Sequence, residues 1–478
     1  MSVQEASEFM KNQTQAITLG VAMTLGAILA AMHAGCSATP SGNTGGSGGD
    51  GGDGWGTGGT GNNGNQGGDG GGIFIPDSGP PCEGLQCKIP NCGGGQTTKL
   101  TGIVHAPTPA QYGPADPLFN AVVYIPNAQI DPFPDGVTCD QCGAALSGKP
   151  IAVTTTNAKG EFELTDVPAG TNIPLVIQLG KWRRQVEIPE IVGCQSTALP
   201  DELTRLPRNQ QEGSIPKIAI ATSTYDIEEC ILRKIGVEDA EFTAGGGSGR
   251  IHLYQGNGAS VPGAMPMAQL WASLDTLKQY DMVLFPCSSV AASDPTALQN
   301  VHDYANAGGR VFATDLSYPW YTKGPADFQS TAQWVNWGGL GVDPLPATID
   351  QTFPKGQALA QWLQNIGATT ILGSIDLHET YHVVDAVNAP TTRWLYSTNP
   401  ATVQTLSFNT PVGLPAEQQC GRAVYSNFHI ANGSGFGTFP SECTPDPLTP
   451  QEKVLEFMLF DLASCVQDDT IDPIPPPK

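Results

Sequence analysis

The sequence predicts a multidomain protein in which an all-β sandwich is followed by a parallel α/β sheet, both after a disordered Gly-rich linker. Three observations lead there. Between 96 and 213, short β-rich runs are separated by Pro, Gly, Asn and Asp clusters. Between 214 and 467, strand-like apolar runs alternate with helical ones. From Ser41 to Gly72 the chain is almost wholly Gly, Asn, Asp, Ser and Thr, too poor in apolar surface to offset its ordering entropy.

At 478 residues the chain exceeds one compact core. Its net charge of −23 and lack of a basic stripe exclude a nucleic-acid binder. Twelve cysteines without paired C-x-x-C motifs predict disulfides and an oxidising compartment. The apolar run AITLGVAMTLGAILAA, Ala16 to Ala31, has the length of a signal-peptide core and is short for a membrane span. It leads into Ala34-Gly35-Cys36, where small residues give a peptidase access and the thiol can take a lipid. This resembles a lipobox, although His33 stands where an aliphatic residue is usual. Residues 1–35 are therefore read as a lipoprotein signal peptide, with Met10 as an alternative start. Residues 36–95 are a Gly-rich tether and Cys-rich lead-in, whose 32 most flexible residues span roughly 30 Å. Residues 468–478 form a Pro-rich tail.

In the sandwich, strands are expected at Leu100 to His105, Ala121 to Ile125, Ile151 to Thr155, Glu161 to Leu164, Leu175 to Leu179 and Trp182 to Ile188. Phe162 and Leu164 alternate inward after a turn at Lys159-Gly160. The stretch Thr156 to Leu164 with Val167-Pro168-Ala169-Gly170 resembles the T-x-x-x-G-x-F-x-L…V-P-x-G pattern of carboxypeptidase regulatory-like domains. That resemblance implies a seven-stranded, transthyretin-like sandwich over 96–213, without chemistry of its own. The basic run Gly180 to Arg184 is expected at a solvated hairpin tip.

Beyond it, Lys217 to Ala221, Met282 to Phe285 and Arg310 to Thr314 read as buried strands. Asp226 and Glu229 read as an N-cap pair for a helix over Ile227 to Ile235. Asp294-Pro295 opens a second helix, and Thr449 with Glu452 makes a capping box for a third, Val454 to Ser464. The segments Tyr280 to Pro286, Ala307-Gly308-Gly309 and Arg310 to Asp315 resemble the class I glutamine amidotransferase-like fold. The stretch Cys420 to His429 is similar to the late strand of its ThuA-like branch. The resemblance implies a flavodoxin-like sheet over 214–467. The whole chain also resembles large bacterial surface lipoproteins without established activity. Where amidotransferases place the nucleophilic cysteine this chain has Asp315, and where they place the base it has His429. Their acid, two residues later, is Ala431 here. A carboxylate cannot form the thioester, so glutamine hydrolysis is not expected. Asp315 and His429 remain candidates for an acid–base or metal-holding pair at the sheet's carboxyl edge. Cys287 follows a strand at the edge that Cys230 shares, so a Cys230–Cys287 bridge is expected, with Cys420–Cys443 as a second.

His378-Glu379-Thr380-Tyr381-His382 matches H-E-x-x-H, which needs a helix to bring both histidines to one zinc ion. Alternation of Ile375, Leu377, Tyr381 and Val383 argues for a strand instead, which separates the histidines by about 13 Å. His378 and His382 are thus metal candidates of last resort, and no cofactor is expected. Tyr318, Trp320 and Tyr321 follow Asp315 and are candidates to stack on a sugar, or else pack their own loop. The expected function is a non-catalytic binding or scaffolding role, toward a carbohydrate or an envelope protein, for an exported protein lipid-anchored to the bacterial cell envelope at the outer membrane. The alternative is a hydrolase using Asp315 and His429, or a zinc peptidase at His378 and His382.

Overall fold

The computed structural model describes residues 82–288, 293–430 and 435–477. The expected signal peptide, Cys36 and the tether up to Pro81 lie outside the described residues. Asp77–Lys478 forms one compact unit.

Strands β1 (Lys99–Ile103), β2 (Val122–Pro126), β3 (Pro150–Thr155), β4 (Glu161–Thr165), β5 (Gly170–Leu179), β6 (Trp182–Ile191) and β7 (Ser196–Ala198) make two small sheets. One has the order β4-β1-β7, the other β3-β2-β5-β6. All six expected strands form, and β7 joins them. In β4, Phe162 and Leu164 are buried between exposed Glu161 and Glu163, as period-2 alternation requires. Leu100, Phe162 and Leu164 of the first sheet share a core with Val123, Ile125, Leu175 and Ile177 of the second.

A ten-stranded mixed sheet follows, built from β8 (Ile218–Ala221), β9 (Phe242–Ala244), β10 (Ile251–Tyr254), β11 (Met282–Phe285), β12 (Arg310–Thr314), β14 (Leu345–Ile349), β15 (Ser374–Leu377), β17 (Thr392–Thr398), β18 (Ala401–Thr410) and β19 (Gly421–Ser426). Its order is β15-β14-β17-β18-β19-β12-β11-β8-β10-β9. The six strands from β19 to β9 are parallel. The remaining four add antiparallel. The expected parallel sheet therefore covers one half. Strands β13 (Ala332–Gly339) and β16 (Tyr381–Val387) pair separately.

The helices of eight residues or more are α1 (Glu228–Ile235), α2 (Pro295–Asn306), α3 (Pro354–Asn365) and α4 (Pro450–Ala463). Asp294 caps α2 through the Thr296 N–H, and Thr449 with Glu452 closes the capping box of α4. Helix α1 departs from expectation. Its N-cap is Ile227 with no side-chain cap, because the Asp226 carboxylate turns toward the sheet edge.

The Gly180–Arg184 hairpin tip is a second correction. Lys181, Trp182 and Arg183 are buried rather than solvated. Lys181 Nζ pairs with Asp281 Oδ1 at 2.5 Å, and Trp182 packs edge-on against Phe460 of α4. Gly180 has φ 55°, and a Cβ there would lie 1.8 Å from the Ala463 carbonyl oxygen, so only glycine fits. The small sheets are thus wedged against the large one.

Helix α1 also buries Glu229 completely, with neither carboxyl oxygen hydrogen-bonded. Burial, helped by the nearby Glu442, pushes its pKa up to about 8. A raised carboxyl holds its proton in the fold and releases it when unfolded, so stability falls as pH climbs from about 4.5 to 8. Glu229→Gln should remove its share of that slope, gaining on the order of 3 kcal/mol at pH 7 relative to pH 4, while buried Glu228 and Glu456 keep theirs. Urea unfolding across that pH range checks it; an unchanged slope in the variant would refute the assignment.

Candidate functional site

The parallel strands deliver four side chains to one point at their carboxyl ends. Asp226 comes from the turn after β8, Cys287 from the end of β11, Asp315 from the residue after β12, and His429 from the segment after β19. Exposures are 0% for Asp226 and Asp315, 1% for Cys287 and 5% for His429.

Asp226 organises the cluster. Its Oδ1 accepts from His429 Nδ1 at 2.9 Å and from the Ile430 N–H at 3.1 Å. Its Oδ2 accepts from the Cys287 N–H at 3.3 Å and from the Thr314 hydroxyl. With Nδ1–H given to Asp226, His429 turns Nε2 toward Asp315 Oδ2, 3.5 Å away. That same oxygen accepts the Cys287 thiol at 3.2 Å, while Asp315 Oδ1 accepts from Trp337 Nε1 at 2.9 Å. Asp315 has φ 35°, and its carbonyl is held by the Tyr425 hydroxyl at 2.9 Å. Left-handed backbone is tolerated by aspartate, and here it aims the side chain into the cluster.

Burial works against charge on His429, but the Asp226 hydrogen bond and carboxylate lift its pKa to about 8. Burial likewise raises the Asp315 pKa, against the pull of His429. The Cys287 thiol is pushed well above its usual value by burial and then by the two carboxylates. It is therefore a protonated donor, not a thiolate nucleophile.

Tyr225 stacks on His429, Tyr381 meets it edge-on, and Trp337 stacks on Tyr381. Tyr225 and Trp337 keep 58% and 42% of their surface exposed. On the other side of His429 opens a cleft of about 650 Å³, lined by Asp343, Asp376, His378, Glu379, His429 and Gln451 among others. Gln451 Nε2 ties the cleft to the cluster by donating to the His429 carbonyl at 2.5 Å.

The structure brings the sequence candidates Asp315 and His429 together. Their orienting acid is Asp226, not the residue two after His429; Ala431 lies outside the described residues. Asp226 was missed because its place before a helix reads as a cap. Its position just beyond the first parallel strand was the available signal.

Other candidates are redistributed. The described cysteines pair as Cys82–Cys87, Cys92–Cys194, Cys139–Cys420, Cys142–Cys465 and Cys230–Cys443. The expected Cys230–Cys287 and Cys420–Cys443 bridges do not form, and Cys287 is free. The Cys230 side chain leaves the sheet edge on α1 and meets the loop before α4, whereas Cys287 stays in the cluster. Trp320 and Tyr321 are 1% and 0% exposed, packed among Phe285, Phe328 and Phe408, so neither can stack on a ligand. Tyr318 is half-buried beside them. The H-E-x-x-H segment bends between β15 and β16 and enters β16 at Tyr381, with Glu379 at φ 51°. His378 Nδ1 pairs with Asp343 at 3.1 Å and His382 Nε2 with Asp385 at 2.7 Å, so the metal candidates hold separate carboxylates.

No family model matches the chain, and no curated protein does. Among solved structures, Gan42B, a GH42 β-galactosidase, is 10% identical with a TM-score of 0.27, covering 55% of this chain and 32% of its own. A catalytic mutant of Gan42B from G. stearothermophilus gives 11% and 0.26, covering 53% and 31%. This chain thus spans about a third of the galactosidase length. A ThuA-like protein from Bacteroides uniformis is 11% identical with a TM-score of 0.24, covering 44% of this chain and 81% of its own. Likeness this weak assigns neither family nor activity.

Proposed function

We propose that this is an exported envelope protein, lipid-anchored through Cys36 at the outer membrane, that binds a carbohydrate without transforming it. The observation that carries the binding reading is the pairing of a closed cluster with an open cleft. Asp315 and Cys287 are 0% and 1% exposed, while the neighbouring 650 Å³ cleft presents Asp343, Asp376, Glu379 and Gln451. Carboxylates and amides are the usual partners of sugar hydroxyls, and the exposed rings of Tyr225 and Trp337 offer stacking surface at the same edge. Five disulfides suit an oxidising compartment. Seven strands in two sheets with one core support a regulatory-like sandwich, and the parallel half of the large sheet supports an amidotransferase-like domain.

A second reading rests on the Asp226–His429–Asp315 row: a hydrolase in which the Asp315 carboxylate attacks and His429 activates water. One experiment separates the two. The full chain is titrated with a panel of defined envelope oligosaccharides, and each mixture is then assayed for cleavage. Saturable binding that Glu379→Gln weakens at least tenfold, with every oligosaccharide recovered intact, is the expected result. Cleavage abolished by Asp315→Asn would replace binding with hydrolysis, and no saturable binding at all would end the carbohydrate reading.

A further inference from the structure

We propose that the cavity between the β2–β3 loop, the β5–β6 hairpin and the last residues of the chain binds a small organic anion, a carboxylate on a short apolar body, with Arg183 as its charge partner. The inference goes beyond the carbohydrate reading, because this cavity shares no lining residue with the cleft beside His429.

Residues 127–149 join β2 to β3 without forming a helix or strand. A loop longer than about 15 residues with no structure of its own is usually functional. Here two disulfides hold it, Cys139 to Cys420 at the start of β19 and Cys142 to Cys465 at the end of α4. The loop so held encloses about 290 Å³ together with Val122 of β2, Leu179 of β5 and Ile474 of the tail. The tail is fixed in turn, because the Ile474 N–H donates to Gln467 Oε1 at 2.9 Å. Phe133, Ala145 and Leu146 add to a lining in which apolar surface predominates. A pre-formed, largely apolar cavity with a few placed polar groups is the usual form of a small-molecule site.

Arg183 selects the kind of molecule. It lines the cavity at only 6% exposure. Its Nη2 donates to the Asp131 carbonyl at 2.5 Å and its Nη1 to the Ser147 hydroxyl at 3.3 Å, and its guanidinium lies 4.0 Å above the Phe133 ring. The Tyr124 hydroxyl is also beside it. None of these neighbours carries a negative charge. The Asp131 carboxylate pulls on it least of the groups around it and is exposed, and burial holds the Arg183 pKa below its usual value. A buried charge without a counter-ion is costly, and a ligand carboxylate would supply one with geometry a guanidinium fork matches.

The other charged groups of the lining do not compete. Lys181 is already committed to Asp281 Oδ1 at 2.5 Å and to the Gly136 carbonyl at 2.7 Å. Asp131 and Asp140 are exposed, where water and salt screen them. At about 30 Å³ per water-sized group, the cavity takes a ligand of roughly ten heavy atoms, the size of octanoate.

Calorimetric titration of the full chain with octanoate tests the site. One octanoate per chain is expected, with octanamide, which keeps the shape and loses the charge, at least tenfold weaker. Arg183→Met should weaken octanoate at least tenfold. Because that change can also disturb the fold, Ala145→Trp fills the cavity while leaving the arginine in place and should give the same loss. No saturable octanoate binding would overturn the site, and equal affinity for octanamide would overturn the anion assignment. Undiminished binding in Ala145→Trp would put octanoate elsewhere and overturn it as well. Oligosaccharide binding is read separately at the other cleft, so the two proposals fail independently.

Discussion

Replacing Arg422 by Met is expected to cost about 3–5 kcal/mol of stability, because it strands two buried carboxylates. Arg422 sits in β19 at 1% exposure. Its Nη2 lies 2.8 Å from Asp469 Oδ2, 3.0 Å from Asp461 Oδ2 and 2.9 Å from the Ser407 hydroxyl. Nη1 donates to Asn409 Oδ1 at 2.8 Å. Lys355 of α3 completes the group, 2.7 Å from Asp461 and 3.3 Å from Asp469. Two cations and two anions therefore balance where α3, α4, β19 and the segment after α4 meet. Removing one cation leaves an uncompensated charge in a place water cannot reach, and that penalty exceeds the worth of any one contact. Burial opposes ionisation of Asp469, yet Arg422 and Lys355 hold its carboxyl below the usual range. Its contribution is present above about pH 4 and is lost as pH falls through the lowered value. Asp469→Asn combined with Arg422→Met should recover part of the loss, since the pair then vanishes together. Urea unfolding of the two single variants and the double supplies the cycle. A loss below about 1 kcal/mol for Arg422→Met would mean the network is not integral to the fold.

What the sequence made legible follows from the range over which each signal acts. Strand alternation and helix caps are local, so β4, the Asp294 cap and the Thr449–Glu452 box were readable from a few residues each. Buried strands β11 and β12 were readable because parallel strands covered on both faces become continuous apolar runs. The antiparallel half was not. Strands β17 and β18 carry Thr, Ser and Gln at buried positions, which only partners distant in sequence make tolerable: Trp394 Nε1 finds the Ser407 hydroxyl at 2.8 Å, and Gln404 Nε2 finds the Tyr381 carbonyl at 2.9 Å.

The site shows the same division. Asp315 and His429 stand at ends of recognisable strands, whereas Asp226 is joined to His429 only by the tertiary fold, across 203 residues. Cysteine connectivity is long-range too, and adjacency of strand ends misassigned it. Trp320 and Tyr321 next to Asp315 in sequence suggested a ligand platform, but one short helix, Pro319–Thr322, turns both rings into the core. The rings that do reach solvent beside the cluster, Tyr225 and Trp337, come from elsewhere in the chain.

The largest losses of all should come from cutting the two staples between the β2–β3 loop and the large sheet. Cys139–Cys420 and Cys142–Cys465 span 281 and 323 residues, and a native disulfide is typically worth 2–5 kcal/mol. Their effects should not add simply. Once Cys139–Cys420 is closed, the second bridge closes a ring of only about 48 residues, the 3 from Cys139 to Cys142 plus the 45 from Cys420 to Cys465. The Cys230–Cys443 bridge shortens the path from Cys139 to Cys420 to about 114 residues, the 91 from Cys139 to Cys230 plus the 23 from Cys420 to Cys443. Loop entropy grows with the logarithm of length, so the inner ring is worth about 4 kcal/mol in the chain-entropy account and the longer one about 1 kcal/mol more. Removing either bridge alone, as Cys139→Ser with Cys420→Ser or as Cys142→Ser with Cys465→Ser, should therefore cost less than removing the second from a chain that already lacks the first. Thermal unfolding of the two paired variants and the quadruple variant measures both steps. The Lys181–Asp281 pair and the Trp182–Phe460 contact remain in every variant, so native-state packing at the junction is held constant and the difference reports on the unfolded chain. Equal steps would place the stabilisation in the native junction instead, as strain or packing that each bridge supplies on its own.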